Sequence, residues 1–462
     1  MKHTYLFYDI ETTGLNPCFD QVLQFAAIRT DLELNELARH EFNVKLNDGV
    51  IPSPGAVITH HIGVDQWRQG ISEFEAISHI HQLLNTPGTI SLGYNTLGFD
   101  DEFLRFSFYR NLLPPYTHQY ANQCARMDLY PLTIMYYLFK PSALTKWPVI
   151  DQNVSLKLEN ISAANHLAEG QAHSAIVDVI ATLNLARKLI KERETWDYLI
   201  GYFDKNTDIS RMSQLSSGIA LLVNGKFGAK NNFVAPVLHL GPHTQYKNQN
   251  IFLRLDDENL SKLQIETIAA QSFSIRKKAG EKELLLPLKP RYLAKLSAER
   301  QSSMEKNQAW LNENPQILAA ISAHHCQYIY PKIPNIDPDA ALYELGFPDR
   351  QEEILFKKFH QALPSKKMFY AEQFSNLVRK EQALRIMGRH FFSELTPDFQ
   401  IMFKESLQQN AIDFRGQSKL TLSLALEEAE KIKNSRTLTP EQQKLLHNFQ
   451  EYFIRDLPRI AG

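Results

Sequence analysis

The chain has little cysteine: Cys18, Cys124 and Cys326 are its only three in 462 residues, far apart and odd in number. That excludes a disulfide framework and a zinc site built from closely spaced thiols. No run of about 18 uncharged apolar residues occurs, as a membrane-spanning helix would require. The opening residues, MKHTYLFYDIETTG, place two acids where a signal peptide would carry its apolar stretch. A soluble, cytoplasmic protein without membrane association is the expectation. Internal repeats and low-complexity segments are missing too, and 44% apolar with 22% charged residues is a globular composition. Disordered, collagenous and coiled-coil classes are thereby excluded, and at roughly 100–200 residues per domain the length suggests two to four domains.

Nor is there an overall excess of charge of one sign, since 50 Lys and Arg stand against 51 Asp and Glu. The balance is uneven along the chain. Residues 1–200 hold 15 basic and 22 acidic residues, 201–300 hold 15 and 9, and 301–462 hold 20 of each. An acidic block beside a basic one fits a metal-binding carboxylate domain next to a polyanion-binding one; chance partition of solvated charges is the plainer alternative.

The segment TYLFYD (4–9) is apolar, aromatic and too short for a helix, which favours a buried strand. LQFAAIRTD (23–31) and HEFNVKL (40–46) read as a second and third strand, an antiparallel opening to a mixed sheet. The period then changes. ISEFEAISHIHQLLN (71–85) has apolar residues at Phe74, Ile77, Ile80 and Leu84, the spacing of an amphipathic helix. TISLGYN (89–95) reads as a strand, and DDEFLRFSFYRNLL (100–113) and SAIVDVIATLNLARKLIK (174–191) as helices. Strands followed by helix–strand alternation argue for an α/β domain ending just after the last of these. Beyond residue 200, short apolar runs separated by turn residues suggest a β-rich unit, with Asn-Gly at 224–225 a hairpin signal. YPKIPNIDPD (330–339) reads as a linker into a helical region, where Thr439-Pro440-Glu441-Gln442 carries the residues of a capping box.

Asp9 and Glu11 lie two apart at the end of the first strand and therefore share a face. Two adjacent carboxylates repel unless a cation neutralises them, and a divalent metal with oxygen ligands does so well. Asp100-Asp101-Glu102 follows GYNTLGF at a strand-to-helix junction, where the helix dipole alone could account for acids, although one of the three can still face the first pair. His173 precedes Asp178 by five residues. On one continuous helix they would point about 140° apart at ~100° per residue, so they converge only if His173 lies in the approach loop and Asp178 in the first turns. Asp178 is the only acid between Glu169 and Glu192 and needs a cationic partner if buried.

Asp9, Glu11, Asp100 and Asp178, in this order, resemble the DEDD exonuclease superfamily, and His173 resembles the histidine of its DEDDh branch. The blocks FYDIETTG, LQFAAIRTD, IPSPGAVITHHIG, GYNTLGFDDEFLRFSFYRN, GKFGAKNNFVAP and NENPQ are similar to those of the bacterial exonuclease I family. The resemblance implies an RNase H-like mixed-sheet exonuclease domain (1–192), an SH3-like β-barrel domain (193–340) and a helical C-terminal domain (341–462). It further implies 3′ to 5′ hydrolysis of single-stranded DNA to 5′-mononucleotides in DNA repair and recombination, by a monomer. Two Mg²⁺ ions, replaceable by Mn²⁺, are implied as cofactors. Asp9 would sit at or near both ions, Glu11 and Asp178 would complete one site, and Asp100 would hold the other largely through water. His173 is the implied general base, a role suited to a side chain that ordinarily titrates near ~6.5. Glu11, Lys157, Arg105, Tyr116 and Tyr120 match substrate-contacting positions, while Arg276, Lys277 and Lys278 in the basic block are candidates for one wall of a groove. The acidic C-terminal tail of single-stranded DNA-binding protein is an implied partner. Lys157 stands where the family often has arginine, losing the planar bidentate fork, and Tyr120 where tryptophan occurs. A DEDDh exoribonuclease and a catalytically silent single-strand-binding protein are the alternatives. His60-His61 and His324-His325 read as non-catalytic.

Overall fold

The apolar run that opens the chain becomes the central strand of a five-stranded mixed sheet in the computed structural model, which describes residues 3–170, 173–215, 218–407, 409–435 and 437–460. Strands β1 (Thr4–Thr12), β2 (Val22–Thr30), β3 (Glu36–Asn43), β4 (Thr89–Gly93) and β5 (Ala125–Asp128) stand in the order β3-β2-β1-β4-β5. The first three pair antiparallel, and β4 and β5 add on parallel to β1. This is an RNase H-like arrangement with helices on both faces. Alternation along β1 divides its side chains between two cores. Leu6, Tyr8 and Ile10 pack with Ile77, Ile80, Phe103 and Leu104, whereas Tyr5 and Phe7 pack with residues of the Leu129–Phe139 and Ala175–Leu189 helices. Each large apolar side chain contributes about 1.5–3 kcal/mol on full burial, so the two cores hold the strand firmly from both sides.

The third strand begins and ends earlier than its sequence predicts. Asp31 accepts hydrogen bonds from the backbone of Glu33 and Asn35, setting the turn that pairs Thr30 with Glu36 and Gln24 with Asn43. Past Asn43 the regular ladder ends: Val44 still donates its N–H to the Leu23 carbonyl and forms an isolated bridge with Ile71.

Two short strands, β6 (Val149–Ile150) and β7 (Asn153–Val154), form a small separate ladder. A second five-stranded sheet follows, antiparallel throughout: β8 (Ile219–Val223), β9 (Val234–Pro242), β10 (Gln249–Arg254), β11 (Ser274–Lys278) and β12 (Leu284–Pro287), in the order β11-β10-β9-β8-β12. Asn224-Gly225 is not a two-residue hairpin turn. Val223 pairs with Val234 across a ten-residue connection, and Asn224, at φ −158°, uses its side chain to accept from the Lys226 N–H. Two helices, Ala298–Glu313 and Pro315–Cys326, pack on this sheet through Met304, Leu311, Ile317 and Ile321, and Pro315 opens the second at the NENPQ block.

The exposed stretch before Asp337 leads into helices that cover the first domain. Trp67 packs edge-on against Phe449 and Tyr452 of the Pro440–Ile460 helix. The capping box at its start is formed: Thr439 Oγ1 accepts from Gln442 N, and Gln442 Oε1 accepts from Thr439 N. Among the described residues no helix is long and apolar enough to cross a membrane.

Lys277 corrects the sequence-based groove assignment. Alternation on β11 turns it inward, where its ammonium is fully buried 2.6 Å from Asp208 and also donates to the Glu283 carbonyl. It therefore faces no ligand. Removing one member of such a pair strands a buried charge, so Asp208→Ala should destabilise the protein by about 3–5 kcal/mol in chemical denaturation. Pairing Asp208→Leu with Lys277→Met should recover most of the loss.

Candidate active site

Asp9 and Glu11 stand on the β1 face covered by the Ala175–Leu189 helix, since they alternate with Tyr8 and Ile10. Glu11 lies opposite Gln24 in the β1–β2 register, and the Gln24 side-chain carbonyl accepts the N–H of Ala175, the first residue of that helix. The helix is thus pinned to the strand end with Asp178 in its first turn. His173 precedes it in the approach segment, at φ +63°, so the two residues converge as a loop–helix arrangement requires. Ligand atoms of Glu11, His173 and Asp178 all lie within 4.8 Å of one another.

The three consecutive acids diverge because each step along a helix turns the side chain by about 100°. Asp100 turns toward β1, where the Ile10 backbone N–H favours its charged form. Asp101 points into a buried basic cluster, 3.0 Å from His118 and 3.3 Å from Arg105, with Arg126 also paired to it. Burial alone would raise its pKa, yet Arg126 and Arg105 hold it well below the ordinary carboxylate range. Glu102 accepts from the Tyr343 hydroxyl and lies 3.6 Å from Arg415. Asp128, at the end of β5, accepts the backbone N–H groups of Asn95, Leu97 and Tyr130, and so fixes the loop that launches the Asp100 helix.

The electrostatics of the cluster are unfavourable as it stands. Burial, then the carboxylates of Asp100, Glu11 and Asp178, push Asp9 well above its ordinary pKa. Burial followed by Asp178 and Asp100 raises Glu11 to about 9, and burial raises Asp100 to about 7. Asp178 rises to about 6, again through burial, with His173 pulling the other way. Four acids converging in a largely buried recess, with His173 as the basic group at its rim, form an oxygen-rich donor set that suits a hard divalent cation.

Glu159, which sequence reasoning did not single out, lies 3.0 Å from His173 Nε2. As a first-turn acid of the Leu158–Asn165 helix it has the signature of a dipole partner and no other local signal. Lys157, 75% exposed, is 3.7 Å from the same carboxylate, so lysine, glutamate and histidine form a file at the mouth. Tyr120 is 66% exposed. Tyr116 packs against Phe347 and under the Arg105 guanidinium, which is committed to Asp101. Of the paired histidines, His60 is buried, accepts from Ile62 N and lies within electrostatic reach of His173, His61 lies 3.2 Å from Glu441, and His325 bonds Ser272 and Ser274.

A sequence model of the Exonuclease family matches residues 6–186, the stretch that contributes every acid of the cluster. Exodeoxyribonuclease I of Escherichia coli (strain K12) is 32% identical over 376 residues, 75% of this chain and 77% of the relative. The solved structure of E. coli exonuclease I with a dA16 oligonucleotide has a TM-score of 0.86 at 26% identity, covering 98% of this chain and 100% of that one. That of SSB/exonuclease I with the inhibitor CFAM has a TM-score of 0.82 at 25% identity, over 98% and 100%. The likeness runs through the second sheet and the helical region as well as the acid cluster, and the chain belongs to the exodeoxyribonuclease I family.

Proposed function

We propose that this exodeoxyribonuclease removes 5′-mononucleotides from the 3′ end of single-stranded DNA in the cytoplasm, as a monomer serving DNA repair and recombination. The observation that carries the reading is the convergence of Asp9, Glu11, Asp100 and Asp178 at one end of β1 with His173 at the rim. Complexes of related exonuclease I with a dA16 oligonucleotide and with SSB support single-stranded DNA as substrate and the SSB tail as partner. The chain is read as three units, 1–192, 193–340 and 341–462, the second an SH3-like barrel of short antiparallel strands.

Asp9, Glu11, Asp100 and Asp178 would hold a pair of Mg²⁺ or Mn²⁺ ions, which when bound polarise the scissile phosphate and make the attacking water more acidic. The protein's own groups divide the remaining work. His173 accepts the proton of the water, and Glu159 stabilises the imidazolium that results. Lys157 neutralises a phosphate oxygen as a point charge. Tyr120 offers an exposed ring to a base, Tyr116 lies beside it under Arg105, and the Asp101–Arg105–Arg126 cluster holds the Asp100 helix in place.

Time-resolved digestion of end-labelled single and double strands tests the direction and strand preference. Wild type should shorten single-stranded DNA from its 3′ end, and Asp178→Ala should not. Faster loss of a matched RNA oligomer would replace DNA by RNA in this reading. His173→Ala should lower the rate at least about 100-fold while leaving the circular dichroism spectrum unchanged. The raised carboxyls also set a pH dependence. The folded state binds more protons than the unfolded chain between the ordinary carboxylate range near ~4 and the raised values, so in chelator stability falls as pH rises. The fall runs through about 6, 7 and 9, the values for Asp178, Asp100 and Glu11. The gain in melting temperature from added Mg²⁺ should therefore grow across this window.

A further inference from the structure

Between the exonuclease sheet and the helical region lies a cleft of about 60 Å³, lined mainly by charged and polar side chains. Most of its charges are already matched. Glu73 lies 2.6 Å from Arg110, Asp337 lies 2.6 Å from Arg385, and Asp339 Oδ2 pairs with both Arg385, at 3.2 Å, and Arg389. Asp48 also lines the cleft but is exposed. Two groups are left over, one of each sign. The Lys419 ammonium has neither a hydrogen bond nor an ion pair among the described residues, although its backbone N–H donates to the Ala411 carbonyl. Asp339 is only 3% exposed, and its Oδ1 is buried without a donor.

Both leftover groups line the same cleft, yet no ion pair joins them. A buried carboxylate oxygen without a donor and an ammonium without an acceptor are each costly, so the space between them favours a ligand that satisfies both. Burial and then the Arg389 guanidinium pull Lys419 down to about 8, against the opposing pull of Asp337 and Asp339, and at pH 7 it still carries its charge. Asp20 is also within electrostatic reach of Lys419, but its oxygens are taken by the Thr13 hydroxyl and the Asn16 N–H. With the exposed Asp48 set aside, the lining holds four cations, Arg110, Arg385, Arg389 and Lys419, against three carboxylates, Glu73, Asp337 and Asp339. Water would complete the hydrogen bonds and leave the extra positive charge unanswered.

We propose that the cleft binds inorganic phosphate: Lys419 and the remaining N–H groups of Arg389 donate to its anionic oxygens, and its protonated oxygen donates to Asp339 Oδ1. Sulfate has the same tetrahedral shape but no O–H near neutral pH, so it would set an anionic oxygen against Asp339 and leave that carboxylate unsatisfied. The site therefore selects its ligand by a single proton. A space that holds only a few water molecules has no room for a nucleoside, which favours the free ion over a 5′-mononucleotide. Arg110 ends the Asp100–Arg110 helix and donates to the Pro17 and Cys18 carbonyls, so a bound ion joins the catalytic domain to the helical region. The inference is independent of the single-strand reading above.

Equilibrium dialysis of the full chain against radiolabelled phosphate, in chelator at pH 7 and fixed ionic strength, provides the test, with sulfate and dTMP as competitors. Wild type should bind phosphate saturably, and sulfate should compete about tenfold or more weakly. Lys419→Met should lose about tenfold or more in phosphate affinity. Because the ammonium has no partner to strand, that variant should melt no lower than wild type without phosphate. Asp339→Asn supplies a donor N–H in place of the bare oxygen and should abolish the preference for phosphate over sulfate. Absence of saturable binding, which leaves only water in the cleft, overturns the site. So do equal affinities of wild type for the two ions and an unchanged phosphate affinity in Lys419→Met. Competition by dTMP as strong as that of unlabelled phosphate, lost in Lys419→Met, would overturn the assignment to the free ion.

Discussion

Four carboxylates are held together against their own repulsion at the end of one buried strand. Everything else in the first domain answers to that constraint. Asp9 and Glu11 are brought to one face by strand alternation, Asp178 is brought to them by a helix pinned through Gln24, and Asp100 by a loop tied to Asp128. Left to themselves the acids would take up protons, which is why burial and mutual repulsion push them upward. The apolar layers on both sides of β1 stabilise the fold enough to keep them in place, and a bound divalent cation would supply the missing compensation.

The same helix turn shows how charge is sorted for different purposes. Asp100 and Asp101 are neighbours, yet the first is raised to about 7 and the second is driven down, because burial raises both and only the second has arginines to reverse it. Arg126 also pairs with Glu281 at 2.5 Å, which connects the second sheet to the Asp101 cluster. The basic character of residues 201–300 is divided likewise. Lys277 goes inward to Asp208 as structure, while Arg276 on the opposite face is left to its tyrosines.

Much of this was legible in the primary structure. The period of two in TYLFYDIET, the period near 3.6 in 71–85 and 174–191, and the order of the four acids led to the first domain and its site, because each signal is local or rests on a family resemblance. What escaped depends on partners remote in sequence. Glu159 meets His173 only through the fold, and nothing in RKK indicates that the middle residue finds Asp208, which precedes it by 69 positions. Asn224-Gly225 misled because the dipeptide was read without the ten residues separating the paired strands. The third strand shifted because the Asp31 turn, rather than its own apolar pattern, sets its register.

The central claim is that the acid cluster is a divalent-cation site and that Asp9 is indispensable to it. Electron paramagnetic resonance of Mn²⁺ titrated into the full chain at alkaline pH measures this directly. Wild type should remove free Mn²⁺ from solution and Asp9→Asn should not, with both proteins equally folded. Equal Mn²⁺ uptake by the two would contradict the account.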